Sequence, residues 1–420
     1  MKKEINFGIG FITGRPNVCR IINSYYKYLI EQVQDLDVKV NFTIFILFDL
    51  GYQFTTRTDF YGILPEVYKY INIKYITPEQ IDEEKKILIS KYGLTKAEAD
   101  LFIGKGYAKA RNMILYTALR KKMDYLLFWD DDEYPLANVK NEGDSEIKWL
   151  KQPTIRQHIL NIENTDITCG DRCGIMNPVP YIEYNETLQE EEYKAFIDGI
   201  SNEVITWEYV NKTRKKNGFL KYANEDIAFG VEEPMLISQE GQAPIMYGSN
   251  LCLNLNHIDK IPAFYNPPGA RGEDTFFACA TVDKKTQVVS IPVYHFHDGF
   301  LKFTGLMKEK YPKQTLKISL DDNGIEQRFY KAALGWIKYK PLYFYINERE
   351  KYREIMDKAI EDLKKGGGSV SKQFETCDFD CFVPELQDYD RNVKKHYNEY
   401  LETNRIWDEL KFKLKKDIND

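Results

Sequence analysis

Along the first 135 residues, apolar positions recur with a period that switches between that of a strand and that of a helix. Ile5 to Ile12 is an apolar run that feeds a turn at Thr13-Gly14-Arg15-Pro16. Asn17 to Gln34 carries Ile21, Ile22, Tyr25 and Leu29 at helical spacing. Val38 to Phe48 reads as a second strand, closed by Asp49, and Tyr70 to Ile76 as a short third. Thr77-Pro78-Glu79-Gln80 has a capping Thr, a Pro at the first helical position and a Gln placed for a capping box. Thr95 and Glu98 repeat the device ahead of Gly104 and Gly106. Lys109 to Lys122 predicts a helix, and Tyr125 to Trp129 a buried strand that runs into four acids. This alternation predicts an α/β fold, a Rossmann-like, mostly parallel sheet flanked by helices.

From 137 to 240 the pattern is polar and irregular, broken by short runs at Ile175 to Ile182 and Glu203 to Tyr209, and reads as inserted loops and hairpins. Beyond 311 it turns helical and charged, through Tyr345 to Lys365. Gly366-Gly367-Gly368-Ser369 reads as a flexible break before a last helix near Tyr389 to Lys415.

A chain of 420 residues with 43% hydrophobic and 29% charged residues can bury a large core. The net charge of −6 argues against general nucleic-acid binding, which needs an excess of Lys and Arg. No stretch nears the roughly 20 apolar residues of a membrane span, and the start has no signal-peptide pattern, so a cytoplasmic protein is expected. The abundance of Lys, Ile, Asn and Tyr is the bias of an AT-rich bacterial genome. Seven cysteines do not read as a disulfide framework. Cys169 with Cys173, and Cys377 with Cys381, share one spacing; four thiolates could hold zinc, but reduced thiols are the better expectation.

The strongest chemical signal is Asp130-Asp131-Asp132-Glu133 at the end of an apolar strand. Ligands bind outside the carboxyl ends of parallel strands, and crowded carboxylates there either repel or share a hard cation that can also hold phosphates. Two further signals follow: Arg271-Gly272-Glu273-Asp274-Thr275 at a helix start, and His295-Phe296-His297-Asp298 at the end of a strand from Val288 to Tyr294. Each has a plain alternative, a helix cap for the first and ordinary hydrogen-bonded histidines for the second.

Ala110-Arg111-Asn112 on a helix, followed by an apolar strand and Asp130-Asp131-Asp132, resembles the donor half of GT-A glycosyltransferases, family-2-like enzymes above all. The resemblance spans residues 5 to 300 and leaves the C-terminal helices unassigned. It implies a GT-A nucleotide-diphospho-sugar transferase fold with a helical extension. Residues 1–310 would form the catalytic domain, with 1–135 the nucleotide-sugar half and 136–310 the acceptor half, and 311–420 a helical region open to oligomerisation or acceptor docking.

It further implies nucleotide-sugar contacts from Thr13, Arg15, Asp49, Arg111, Asp130 and Asp131. A metal, Mn2+ or Mg2+, would be held by Asp132 with His295 or His297, His295 being the first choice. Asp274 would be the catalytic base, with Glu273 orienting the acceptor. Lys302 or Lys308 would close over the diphosphate. The implied activity is metal-dependent transfer with inversion from a nucleotide sugar, a UDP-sugar first, to a glycan, lipid or protein hydroxyl in bacterial surface glycosylation. Alternatives are a retaining transferase, a nucleotidyltransferase or sugar-nucleotide pyrophosphorylase, and a non-catalytic binding protein.

Overall fold

The computed structural model describes residues 2–50, 55–141, 143, 145–175, 179–180, 182–217, 220–299, 306, 310–313, 324–375 and 377–419. In chain order the first half runs β1 (Lys3–Thr13), α1 (Asn17–Glu31), β2 (Val38–Phe48), β3 (Ile71–Ile76), α2 (Pro78–Ser90), α3 (Lys96–Phe102), α4 (Tyr107–Arg120) and β4 (Tyr125–Phe128). Both capping boxes form, with Thr77 accepting from the Gln80 amide and Thr95 from that of Glu98. β1 pairs in parallel with β2 and β4, and β2 with β3.

The middle is more regular than its sequence. β5 (Glu133–Tyr134), β6 (Leu136–Val139) and β7 (Lys148–Lys151) lead to α5 (Thr154–Ile162) and then to β8 (Ile167–Ile175). α6 (Glu190–Ile200), α7 (Trp207–Asn217), β9 (Leu220–Lys221), α8 (Glu225–Ala228), β10 (Met235–Leu236) and β11 (Leu251–Asn254) follow. Where 137 to 240 reads as loops and hairpins, the described residues keep one hairpin, β6 with β7, and add four helices and a long strand inside the main sheet. After α9 (Glu273–Lys284), β12 (Val288–Asp298) continues through both histidines.

The sheet order is β10-β12-β8-β11-β4-β1-β2-β3. It is mixed: β12 and β8 are parallel, but β11 runs antiparallel to its neighbours β4 and β8. One face buries Phe7, Ile9 and Phe11 with α1 and α5; the other buries Phe45, Phe128 and Leu253 with α2, α3 and α4.

The described residues from 324 onward are mainly helical: α10 (Ile325–Asn347), α11 (Tyr352–Gln373), α12 (Phe382–Arg391) and α13 (Val393–Asn419). α6, α10, α11 and α12 share a third core around Phe196, Phe329 and Phe379. α13 returns to the first half, where Trp407 stacks on Phe102 at 5.6 Å between ring centroids and donates to the Ile261 carbonyl. The expected break at Gly366-Gly367-Gly368-Ser369 is helix. A Cβ on Gly366 would stand 2.3 Å from the Glu192 carbonyl oxygen, and one on Gly199 2.7 Å from Leu363. Glycine is used here because α6 and α11 cross backbone to backbone, not for flexibility.

None of the seven cysteines is in a disulfide, and the four considered for zinc are not gathered: Cys169 and Cys173 lie in the sheet cores and Cys377 in the helical one. Among the described residues no helix is long and apolar enough to cross a membrane.

Candidate active site

A cavity of about 700 Å³ opens at the carboxyl ends of β1 and β4. Its walls are the turn after β1, the acids after β4, Arg172 of β8, the run 243–248, the start of α9, His297 of β12 and one face of α10. The size suits a substrate site, and the place is where open α/β sheets bind ligands.

The acids divide by direction. Asp130 is open to the cavity, with Arg111 at 3.7 Å. Asp131 is buried, accepting from the Thr13 hydroxyl and from Arg15. Asp132 takes Arg15 at 2.9 Å and faces His297 Nε2 at 3.4 Å. Glu133 is fully buried, accepts from Ser249 Oγ at 2.7 Å, and meets His295 Nδ1 at 3.1 Å and Arg172 at 3.7 Å. Acids and histidines come together because β5 pairs with β12, setting Glu133 opposite His297.

Electrostatics follow from these partners. Burial and the Glu133 charge raise Asp130 above the ordinary carboxylate range, with Arg111 opposing. Against burial, which works upward, His297 and Arg15 hold Asp132 well below it. Burial works downward on His297, but Asp132 keeps its pKa raised. Glu133 likewise stays low against burial, through His295 and Arg172. Every acid of the run thus has a guanidinium or imidazole partner, so the charge repulsion that called for a metal is already met by side chains.

The second acidic pair sits at the start of α9. Gly272 holds φ at 88°, which glycine accepts readily, and a Cβ there would come within 3.1 Å of the Tyr339 ring. Asp274 accepts from the Gly248 amide at 3.1 Å and from the Thr275 amide at 3.0 Å, which fixes its carboxylate at the cavity. Glu273 receives Arg111 Nε at 3.3 Å; burial and Asp274 raise its pKa, with Arg111 pulling the other way. Arg111 also donates to the Gly248 carbonyl and lies over the Phe128 ring at 5.0 Å. It therefore braces both acidic groups while lining the cavity.

The fold brings Arg15, Asp49, Arg111, Asp130, Asp131, Asp132, Glu273, Asp274 and His297 to one cavity. Thr13 supports it from behind, bonded to Asp131. His295 does not reach it: the ring is fully buried, 4.7 Å from the Trp129 ring and tied to Glu133. Lys302 and Lys308 lie outside the described residues. A second cavity of about 540 Å³ shares Ile12, Asp49 and Tyr107 and extends between α2 and α4.

Sequence reasoning missed Arg172, Glu203, Arg328, Lys331 and Tyr339, all on the cavity wall. Arg172 carried one signal, its place beside Asp171 between Cys169 and Cys173. Glu203 accepts from Tyr339 Oη and Thr275 Oγ1, and burial raises its pKa, with Asp274 adding to the effect.

A divalent cation can be tested against these donors. Asp132 Oδ2 and His297 Nε2, 3.4 Å apart, stand about as far apart as two adjacent ligands of one cation. Among the described residues no three His, Cys, Asp or Glu side chains group as a metal set. The two donors fit a hard cation that completes its shell with phosphate oxygens and water.

No protein-family model matches the chain, and no curated protein matches it. Two solved structures superpose loosely. One, a mycobacterial protein, is 10% identical with a TM-score of 0.33, covering 80% of this chain and 74% of the other. The second, apo mouse xyloside xylosyltransferase 1, is 8% identical with a TM-score of 0.23, covering 79% and 93%.

Proposed function

We propose that this chain is a glycosyltransferase of the GT-A kind, moving a sugar from a nucleotide sugar to a hydroxyl acceptor with inversion. The observation that carries the reading is the convergence, in one cavity, of the acids at the end of β4 and the Glu273-Asp274 pair. The first group suits the diphosphate end of a donor, and the second suits proton removal from an acceptor.

Asp274 is the base. Its two backbone hydrogen bonds leave carboxylate lone pairs free to take a proton. The acceptor oxygen forms a bond to the anomeric carbon, its proton passes to Asp274, and the bond from that carbon to the diphosphate oxygen breaks. Glu273, held by Arg111, orients the acceptor. Asp130 approaches the nucleoside or sugar, and Asp49, at the junction of the two cavities, meets the base or ribose. Asp132 and His297 would hold the cation, manganese before magnesium given the imidazole. When bound, such an ion supplies Lewis-acid stabilisation of the leaving group.

The test is release of free nucleotide from a panel of UDP-, GDP-, CMP- and dTDP-sugars, with manganese or with chelator, for wild type and Asp132→Ala. One donor consumed only with metal, and spared by the variant, is expected. No turnover together with no donor binding refutes the reading.

A further inference from the structure

We propose that one face of α10 is a subsite for an anionic carbohydrate, a sugar carrying a phosphate or a carboxylate, presented there as the acceptor. The acceptor role rests on the transferase reading above; the anion subsite rests on geometry of its own. Lys331, Gly335, Tyr339 and Tyr343 recur every four residues on α10, and all line the large cavity. That spacing stacks them in one column.

Arg271 lies across the column. A Cβ on Gly335 would stand 2.3 Å from Arg271 Cγ, and the Arg271 amide donates to the Gly335 carbonyl. The missing side chain at Gly335 thus lets Arg271 pass one turn from Lys331. The four other cavity arginines are engaged: Arg15 with Asp131 and Asp132, Arg111 with Asp130 and Glu273, Arg172 with Glu133, and Arg328 through its charge with Asp132. Arg271 and Lys331 are both exposed, and among the described residues neither makes an ion pair. Two neighbouring cations that face a cavity and make no ion pair set up a local field for an anion, although the charge of Arg271 also acts on Glu273.

The column then leads to the base. Tyr339 Oη donates to Glu203, which accepts from Thr275, the residue after Asp274. Tyr339 and Tyr343 line the same wall. A sugar whose charge rests on Lys331 and Arg271 is thereby laid along α10 toward Asp274.

The test is calorimetric binding to the full chain of glucose 6-phosphate, glucuronate and methyl glucoside, at low and high salt. Donor KM is measured separately from nucleotide release without acceptor. At least one charged sugar is expected to bind about tenfold more tightly than the neutral one at low salt. Lys331→Ala and Arg271→Ala should each erase that preference and leave donor KM unchanged. Preference for one charged sugar over the other separates phosphate from carboxylate. Equal binding of charged and neutral sugars, no binding of any, or a preference that survives both variants overturns the proposal. So does a rise in donor KM in the variants, which would assign both cations to the diphosphate of the donor. Charged-sugar binding with neither nucleotide release nor donor binding keeps the anion subsite and sinks the transferase; nucleotide release without the preference does the reverse.

Discussion

Replacing Gly366 and Gly368 separately by alanine should shift stability in opposite directions. In an exposed helix interior, alanine is favoured over glycine by about 1 kcal/mol. At Gly368 the added Cβ meets only Asp380 Oδ1 at 3.7 Å, an ordinary contact, so that gain should survive. At Gly366 the Cβ would stand 2.3 Å from the Glu192 carbonyl oxygen, 2.7 Å from the Phe196 nitrogen and 2.8 Å from Phe196 Cβ. Those atoms are α6 backbone and a buried side-chain root, which no rotamer change can clear. α6 must therefore move away by about 1 Å, spoiling the packing of Phe196 on Phe379 and Phe382, and overpacking of this kind costs about 1–3 kcal/mol. Net of the helix-forming gain, Gly366→Ala should lose up to about 2 kcal/mol and Gly368→Ala gain up to about 1. Thermal melts of the two variants side by side provide the assay. For 420 residues melting as one unit, 1 kcal/mol corresponds to about 1 °C, so the ordering of the variants is the readout. Equal melting of both variants and wild type would mean that the segment is a linker and would refute the backbone-to-backbone crossing.

Asp274→Asn keeps the shape of the base but not its proton affinity; transfer should fall by about 10²–10⁴-fold with donor KM unchanged, and unchanged turnover removes Asp274 from that role. Burial raises Glu203 above the ordinary carboxylate value, so the folded state holds its proton after the unfolded state, near pH 4.3, has lost it. Stability is then lost as pH rises from about 4.3 through the folded pKa, and Glu203→Gln should melt increasingly above wild type across that window; a constant difference would refute the shift. Arg15→Met strips a cation from Asp131 and Asp132, a loss of about 3–5 kcal/mol by denaturant titration. Manganese should restore the variant more than it stabilises wild type, and no response would argue against a cation at Asp132 and His297.

Much of the frame was readable because its signals are local. The apolar runs of β1, β2 and β4 and the boxes at Thr77 and Thr95 each need only a few neighbours in sequence, and each formed. The acid run and Glu273-Asp274 were readable because strand ends and helix starts announce where side chains go. The failures share a cause. β8 was lost among loops because a central strand here carries Asp171, Arg172 and two glycines, polar where an interior strand should be apolar. His295 and His297 face the same side of β12, as alternate strand residues must. Only the one nearer the carboxyl end clears Trp129 and reaches the cavity, a depth that periodicity does not encode.

The C-terminal helices were readable as helices, but their share of the cavity was not, for a stronger reason. Lys331 belongs to no motif, Arg271 drew notice only as the residue ahead of Gly272-Glu273-Asp274, and each alone is a surface cation. What gives them a shared position is Gly335, whose absent side chain lets a loop 64 residues earlier lie against α10. Charges paired by such a crossing have no spacing to detect. The sequence therefore shows the half of the cavity built on strand ends, while the half built by helix packing comes from contacts between distant positions.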